Sequence, residues 1–291
     1  MDLNEAMERR HSVRMYSDEP VSQNLLNDIA VEVKRCNAAS DLHFQMAAGL
    51  DDAFCGHKTH YGRFTGVHNA IALVAKINEP YDLHPKKKPA DVNSAEIADP
   101  VPAAEAATEE KVGYYGEQLA LTLVGLGLDC SWAVLDDASN GWWELDSGER
   151  MVWVIAFGHA ARAGAKHHSK PLDSLCALPA NLGKNGEAPT LDDAPEWFQR
   201  GIEAASLAPT SLSQQPFRFT LESGQTDSHG AAVAAERANS QCATDDLEPS
   251  EGEPLPHVSA CATPGLFAHV GLGCAKRHFE IGAGTGNFEW A

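Results

Sequence analysis

The sequence predicts an α+β protein, and three observations carry that prediction. The run Met151-Val-Trp-Val-Ile-Ala-Phe157 is continuously apolar, rich in β-branched and aromatic residues, and closed by Gly158, which reads as a strand. Val112, Tyr115, Leu119, Leu123 and Leu126 recur at helical spacing, with small Gly116 and Ala120 allowing close packing. After a Gly/Asn/Pro-rich stretch around 181–189, helix and strand signals begin again, so the 291 residues divide into two unequal parts.

The remaining elements follow in order. Asp2 and Glu5 have the spacing of a capping box, and Leu3, Ala6 and Met7 give a short helix running into Arg9-Arg10-His11-Ser12. His11 to Tyr16 alternates and reads as extended. Ser22 caps a second helix with Leu25, Leu26, Ile29 and Val33 on one face, and Ala70 to Ala75 reads as a buried strand. In the second part, Pro195 suits a helix N1 position, with Pro209 stopping the helix after about Leu207. Phe217 to Leu221 is a strand, and Phe267 to Ile281 a last helix broken by Gly282 and Gly284. Two long segments, Asn78 to Glu110 and Glu222 to Pro264, are rich in Ala, Pro, Asp, Glu and Ser. They read as lids or insertions, mobile for most of their length.

Lysine and arginine number 22 against 41 acidic residues, a net charge of −19, which repels a phosphate backbone and argues against nucleic acid and anionic membranes. The seven cysteines form no CxxC pair, so reduced thiols are expected. The acidic start lacks an apolar signal segment, and no apolar run reaches the roughly 18 residues of a membrane span. A soluble cytoplasmic protein is the expectation.

Arg9-Arg10-His11-Ser12-Val13-Arg14 is a positive island in this acidic chain. Guanidinium forks suit phosphate oxygens, and His11 and Ser12 add shorter donors. Cations closing a helix C-terminus and complementing its dipole explain the same cluster. Other motifs carry less. Gly282-Ala-Gly284-Thr-Gly286 follows a helix, whereas a dinucleotide fingerprint follows a strand. Cys55, His57, His60 and His68 are irregularly spaced for zinc, and Cys130 beside Ser131 has no assignable base and reads as a packed thiol. Trp142, Trp143 and Trp153 read as core, and Lys86-Lys87-Lys88 as solvated loop.

The helix ending in Arg10-His-Ser-x-Arg14 resembles the opening of the nitroreductase family. The resemblance continues in Phe64-Thr-Gly-Val-His-Asn-Ala-Ile-Ala-Leu-Val-Ala-Lys76, in Lys111-Val-Gly-Tyr-Tyr-Gly-Glu-Gln-Leu-Ala-Leu121, in Gly125-Leu-Gly-Leu-Asp-Cys-Ser-Trp132, and in His167-His-Ser-Lys-Pro-Leu172. The stretch Ala208-Pro-Thr-Ser-Leu-Ser-Gln-Gln-Pro216 is similar to the family's Ala-Pro-Ser-x-x-Asn-x-Gln-Pro-Trp motif, which in ordinary members reaches across a homodimer. The first part has Asn37 to Gln45 at that place, without the proline. The last helix looks like a degenerate copy of the helix at 111–126. The resemblance therefore implies the nitroreductase-like fold, with a mostly antiparallel central sheet flanked by helices and an internal pseudo-dimer. Residues 1–185 would form the first half, and 186–291 a degenerate second half completing one flavin site.

Carried over residue by residue, the resemblance puts Arg10, His11 and Ser12 near the phosphate of FMN and Arg14 toward the pyrimidine edge. Lys170 and His168 would add phosphate contacts. Ser131, Trp132 and Ala133 would line the flavin near N5, with a backbone N–H more useful than any side chain. Pro209, Thr210, Ser211, Ser213 and Gln215 would close the site from the second half. Ser213 stands where the family has Asn, and Asp129 departs from the Gly-Leu-Gly-Thr-Cys-Trp pattern. The implied activity is ping-pong hydride transfer from NAD(P)H to an electron-poor acceptor of nitroaromatic or quinone type, with no catalytic side chain and no metal. The pseudo-dimer would be a monomer. The second reading is a flavin store, sensor or pseudoenzyme without turnover, and the third a metal- or ligand-binding module without flavin.

Overall fold

The computed structural model describes residues 1–77, 103–136, 138–164, 168–184, 186–222 and 254–291. Helix α1 spans Leu3–Arg9, with the Asp2 side chain accepting from the Glu5 N–H at 2.8 Å. Helix α2, Gln23–Ser40, is capped by Ser22 and buries Ile29 and Val33. Between them the chain is extended, bridging Ser12 to Cys130, Met15 to Thr65 and Tyr16 to Ala160.

Strands β1 (Gln45–Ala47), β2 (Asn69–Lys76), β3 (Asp129–Val134) and β4 (Glu149–Gly158) form one four-stranded sheet in the order β1-β2-β4-β3, antiparallel throughout. Both faces of its centre are covered. Ile71, Leu73, Trp153 and Ile155 belong to the core against the helices, while Ala70, Ala72, Val74 and Val154 belong to the opposite layer. This explains why β2 and β4 read as unbroken apolar runs. Trp143 and Trp153 are core residues, as expected.

The second sheet has the order β5-β6-β7-β8, from Cys176–Ala177, Phe217–Leu221, His257–Ala262 and Glu289–Trp290. Its centre is antiparallel and its two outer pairings are parallel. Helix α4 (Glu196–Ala205) and helix α5 (Ala268–Ala283) pack on it around Phe198, Phe219, Phe279 and Phe288. Strand β5 precedes residue 185 but pairs with β6, so the first part of the chain contributes a strand to the second sheet.

Helix α3, Ala103–Gly125, joins the two parts by crossing α5. A Cβ at Gly113 would lie 2.0 Å from the Val270 carbonyl oxygen, and one at Gly273 would lie 2.0 Å from that of Glu110. The two contacts are reciprocal: positions 110 and 113 of α3 meet 273 and 270 of α5.

Three sequence expectations need correction. Helix α3 begins at Ala103, not near Lys111, because Ala-Ala-Glu-Ala-Ala-Thr-Glu-Glu has strong helix propensity despite its loop-like composition. Strand β7 lies inside the segment read as an insertion at 222–264. Pro195 is the N-cap of α4 rather than its first helical residue. Most of both long segments, together with Lys86-Lys87-Lys88, His167 and Cys242, lies outside the described residues. The six described cysteines are free.

Candidate functional site

The cationic segment is built where α1 ends. Arg10 leaves the helix in an extended conformation, its N–H still bonded to the Ala6 carbonyl, and the chain then runs along the outer edge of β3. Val13 donates to the Cys130 carbonyl at 3.2 Å and is buried, so its neighbour Arg14 points outward, over the Phe64 ring at 5.9 Å. His11 and Ser12 are half-buried.

Arg10 turns inward. Its side chain is 4% exposed, with Nε 3.5 Å from Glu117 Oε1 and Nη2 donating to the Leu207 carbonyl at 3.4 Å. Nε has no hydrogen bond. Glu117, on α3, is fully buried. Its Oε1 lies 2.9 Å from His278 Nε2 on α5, and its Oε2 accepts from Trp132 Nε1 on β3 at 2.9 Å. The other ring nitrogen of His278, Nδ1, lies 3.0 Å from the Ala204 carbonyl of α4. One carboxylate thus gathers residues from α1, β3 and α5.

Strand β3 is an edge strand. The Cys130 and Val134 carbonyls accept from Val13 and His60 on its outer side. By the alternation of an antiparallel strand, the Trp132 peptide groups face the same open edge between those bonds. Ser131 and Ala133 are buried, and Ser131 Oγ donates to the Trp132 carbonyl at 3.3 Å. Cys130 packs under α3, its Sγ donating to the Ala120 carbonyl at 3.7 Å; burial pushes its thiol up to about 12, which suits a packed thiol rather than a nucleophile.

The second cluster centres on Gln215, 1% exposed in a left-handed conformation (φ 43°). Its Oε1 accepts from the Lys170 N–H at 2.6 Å and its Nε2 donates to the Ser206 carbonyl at 2.6 Å. Its own N–H donates to Thr210 Oγ1 at 3.0 Å, and its carbonyl accepts from Lys170 Nζ at 3.2 Å. Ser169 Oγ also donates to the Ser206 carbonyl. The 168–170 segment is therefore clamped to the 206–215 loop. Leu212 and Ser213 are exposed with positive φ, and Pro209, Thr210 and Ser211 are half-buried. His168 is exposed, as is the Lys170 side chain beyond its contact to Gln215.

The structure brings the expected residues together in two groups. Ser12 bridges β3 at Cys130, beside Ser131, and Arg10 and Trp132 share Glu117, while Ala133 lies in the layer on the other face of the sheet; Lys170, Thr210 and Gln215 meet in the clamp. The Arg10 to Leu207 bond, two residues before Pro209, links the groups. Arg14 stands apart, turned toward Phe64.

Residues 2–84 and 101–283 match the family model described as "Putative TM nitroreductase". The chain belongs to this nitroreductase family. The crystal structure of a putative nitroreductase from Thermotoga maritima is similar over 97% of this chain and 83% of that one, at 16% identity and a TM-score of 0.51. That likeness shows the nitroreductase fold. A nitroreductase-family protein from Streptococcus pneumoniae is 15% identical over 60% of this chain and 98% of that one, with a TM-score of 0.43. A Desulfovibrio desulfuricans structure, described as a nitroreductase in complex with FMN, is 20% identical over 60% of this chain and 95% of that one, with a TM-score of 0.40. No curated protein matches.

Sequence reasoning missed Glu117 and His278. A signal existed for the first: Leu119, Ala120, Leu121, Leu123 and Val124 are buried around most of α3, and an acid entering so apolar a helix requires a partner. His278, between Arg277 and Phe279, carries no comparable signal. Among the described residues, the grouping with metal-ligand character is His43, Asp146 and Glu149, and it includes none of the four zinc-type residues noted in the sequence. No described helix is long and apolar enough to cross a membrane.

Proposed function

We propose that this nitroreductase-family chain is an FMN-dependent oxidoreductase that passes hydride from NAD(P)H to an electron-poor acceptor, of nitroaromatic or quinone type, in alternating half-reactions. The observation that carries the reading is Arg10. A guanidinium has five N–H donors, and this buried one has a single long hydrogen bond among the described residues. A buried cation with donors to spare beside the half-buried His11 and Ser12 fits an anionic group, and the terminal phosphate of FMN supplies one. The open β3 edge at Trp132 offers an N–H to the ring system, as the resemblance implies.

When bound, FMN supplies the hydride chemistry. The chain's own residues bind and orient it. Arg10, His11 and Ser12 would hold the phosphate, with Lys170 and His168 as further donors, and Arg14, which here lies over Phe64, would have to turn to reach the pyrimidine edge. Ser131, Trp132 and Ala133 would line one edge, and Pro209, Thr210, Ser211 and Ser213 would close the site over the clamp that Gln215 holds. Both halves, 1–185 and 186–291, contribute to one site per chain, and the chain acts as a monomer. The reciprocal α3–α5 crossing supports that pseudo-dimer.

The absorbance spectrum of freshly purified protein tests the cofactor: flavin bands and FMN by mass spectrometry are expected, and a stoichiometric FAD peak or no flavin contradicts the reading. Steady-state NAD(P)H oxidation with a quinone then tests turnover. Bound FMN with no oxidation would favour the flavin-store reading.

A further inference from the structure

The hydrogen bonds of His278 fix a proton. Its Nδ1 faces the Ala204 carbonyl, which only accepts, so Nδ1 carries a hydrogen. Its Nε2 lies 2.9 Å from Glu117 Oε1. A bare nitrogen lone pair against a carboxylate oxygen at that distance repels, so a second proton lies between them. Glu117 Oε2 is occupied by the Trp132 indole N–H, which leaves the proton on the Oε1–Nε2 line. Whether it sits on the imidazole or on the carboxyl, the pair is neutral as a whole. Arg10 adds one positive charge, and among the described ion pairs Glu117 is the only acid joined to Arg10 or His278. The buried cluster is therefore a monocation.

We propose that Glu117 and His278 are positioning residues which, by sharing this proton, keep the cluster at one net positive charge directed at the terminal phosphate of FMN. Without the shared proton an ionised Glu117 would cancel Arg10, and the phosphate would meet a neutral cluster. His278 belongs to the second half and Arg10 to the first, so phosphate affinity becomes a property of the joined chain. The proposal rests on the flavin reading above and deepens it.

A charge cycle tests it. In His278→Gln the shared proton is lost, Glu117 ionises, and the cluster falls to zero. In Glu117→Gln the new amide donates to a neutral His278 and its oxygen accepts from Trp132, so Arg10 keeps the cluster at one positive charge. The double variant also retains that charge. FMN and riboflavin, which lacks the phosphate, are titrated separately into each full-length protein. His278→Gln is expected to weaken FMN about tenfold, the effect of roughly one charge-assisted contact, and riboflavin by less than about threefold. Adding Glu117→Gln to it should restore FMN to within about threefold of wild type.

A merely structural role predicts the reverse: equal losses for both ligands, and a double variant no better than the single one. Either result overturns the proposal. Wild-type protein that binds neither FMN nor riboflavin would instead overturn the flavin reading. Should His278→Gln fail to fold, proton NMR of the wild type supplies the second measurement. A strongly downfield resonance assigned to the His278 ring, lost in Glu117→Gln, is expected. Its absence means no proton is shared, and the proposal falls.

Discussion

Helices α3 and α5 meet as equals and then diverge. At the crossing, Gly113 against Val270 and Gly273 against Glu110 make the same contact twice. One turn further on, α3 places Glu117 in the interior while α5 places His278 opposite it. Two different demands fall on one helix pair. The close approach that joins the halves needs only glycine, and both helices supply it. The polar cluster needs unlike partners, and each helix supplies one. The cationic Arg10–Arg14 segment is not repeated after residue 186, so in the proposed pseudo-dimer the two parts would contribute unlike residues to the site.

Breaking the glycine contacts at the α3–α5 crossing should cost the most. Gly113→Val and Gly273→Val each drive a side chain into a carbonyl oxygen that a Cβ would already approach to 2.0 Å. Each should cost well over ~3 kcal/mol, beyond ordinary overpacking, because backbone must move. Gly125→Ala, with open space around the new Cβ, should leave the unfolding temperature nearly unchanged. Similar losses at 113 and 273 would confirm the reciprocity; tolerance at either would refute it.

Next comes the asymmetric element. Arg10→Ala should weaken FMN by about one to two orders of magnitude, since a charge-assisted hydrogen bond is worth roughly 1.5–3 kcal/mol. Arg162→Ala, at an exposed position, is the comparison and should change little. Equal loss in both, measured by flavin fluorescence titration, would remove Arg10 from the site.

A smaller effect sharpens the role of the clamp. Gln215→Gly keeps the left-handed backbone but removes two buried side-chain bonds, and should cost roughly 1–3 kcal/mol while loosening the 206–215 loop. Hydrogen exchange of the Lys170 amide should accelerate. Protection unchanged from wild type would mean the clamp is incidental.

The smallest concerns the α3 acid that lacks what Glu117 has. Glu109 is fully buried, neither oxygen has a hydrogen bond, and burial pushes its carboxyl up to about 8. An acid whose folded pKa is raised holds its proton longer when folded, so stability falls as pH rises from about 4.5 toward 8. Glu109→Gln should flatten that decline and raise the unfolding temperature at pH 8 by a few degrees, about 2–4 °C per kcal/mol for a chain of this size. A pH profile identical to wild type would contradict it.

Much of this frame is legible in the sequence because single patterns dominate locally. The caps at Asp2 and Ser22 and the apolar runs of β2 and β4 mark their elements without tertiary help. Strand β3 was not legible, because Asp129-Cys-Ser-Trp follows a Gly-Leu-Gly turn and pairs on one side only. Strands β1 and β8 are too short to show a period. The start of α3 was hidden by an Ala/Glu-rich composition that serves loops and helices alike. The cationic segment could be named, but its division into an inward Arg10 and an outward Arg14 depends on the bridge to β3. Glu117 and His278 lie 161 residues apart, and only the α3–α5 crossing makes them neighbours.

In the proposed arrangement one chain makes one flavin site from both halves. Titration of full-length protein with FMN, read together with sedimentation at the same concentrations, decides whether it does. One FMN bound per 31.2 kDa chain sedimenting as a monomer is expected. Flavin held only by a two-chain species, with the unliganded monomer unable to bind, would contradict it.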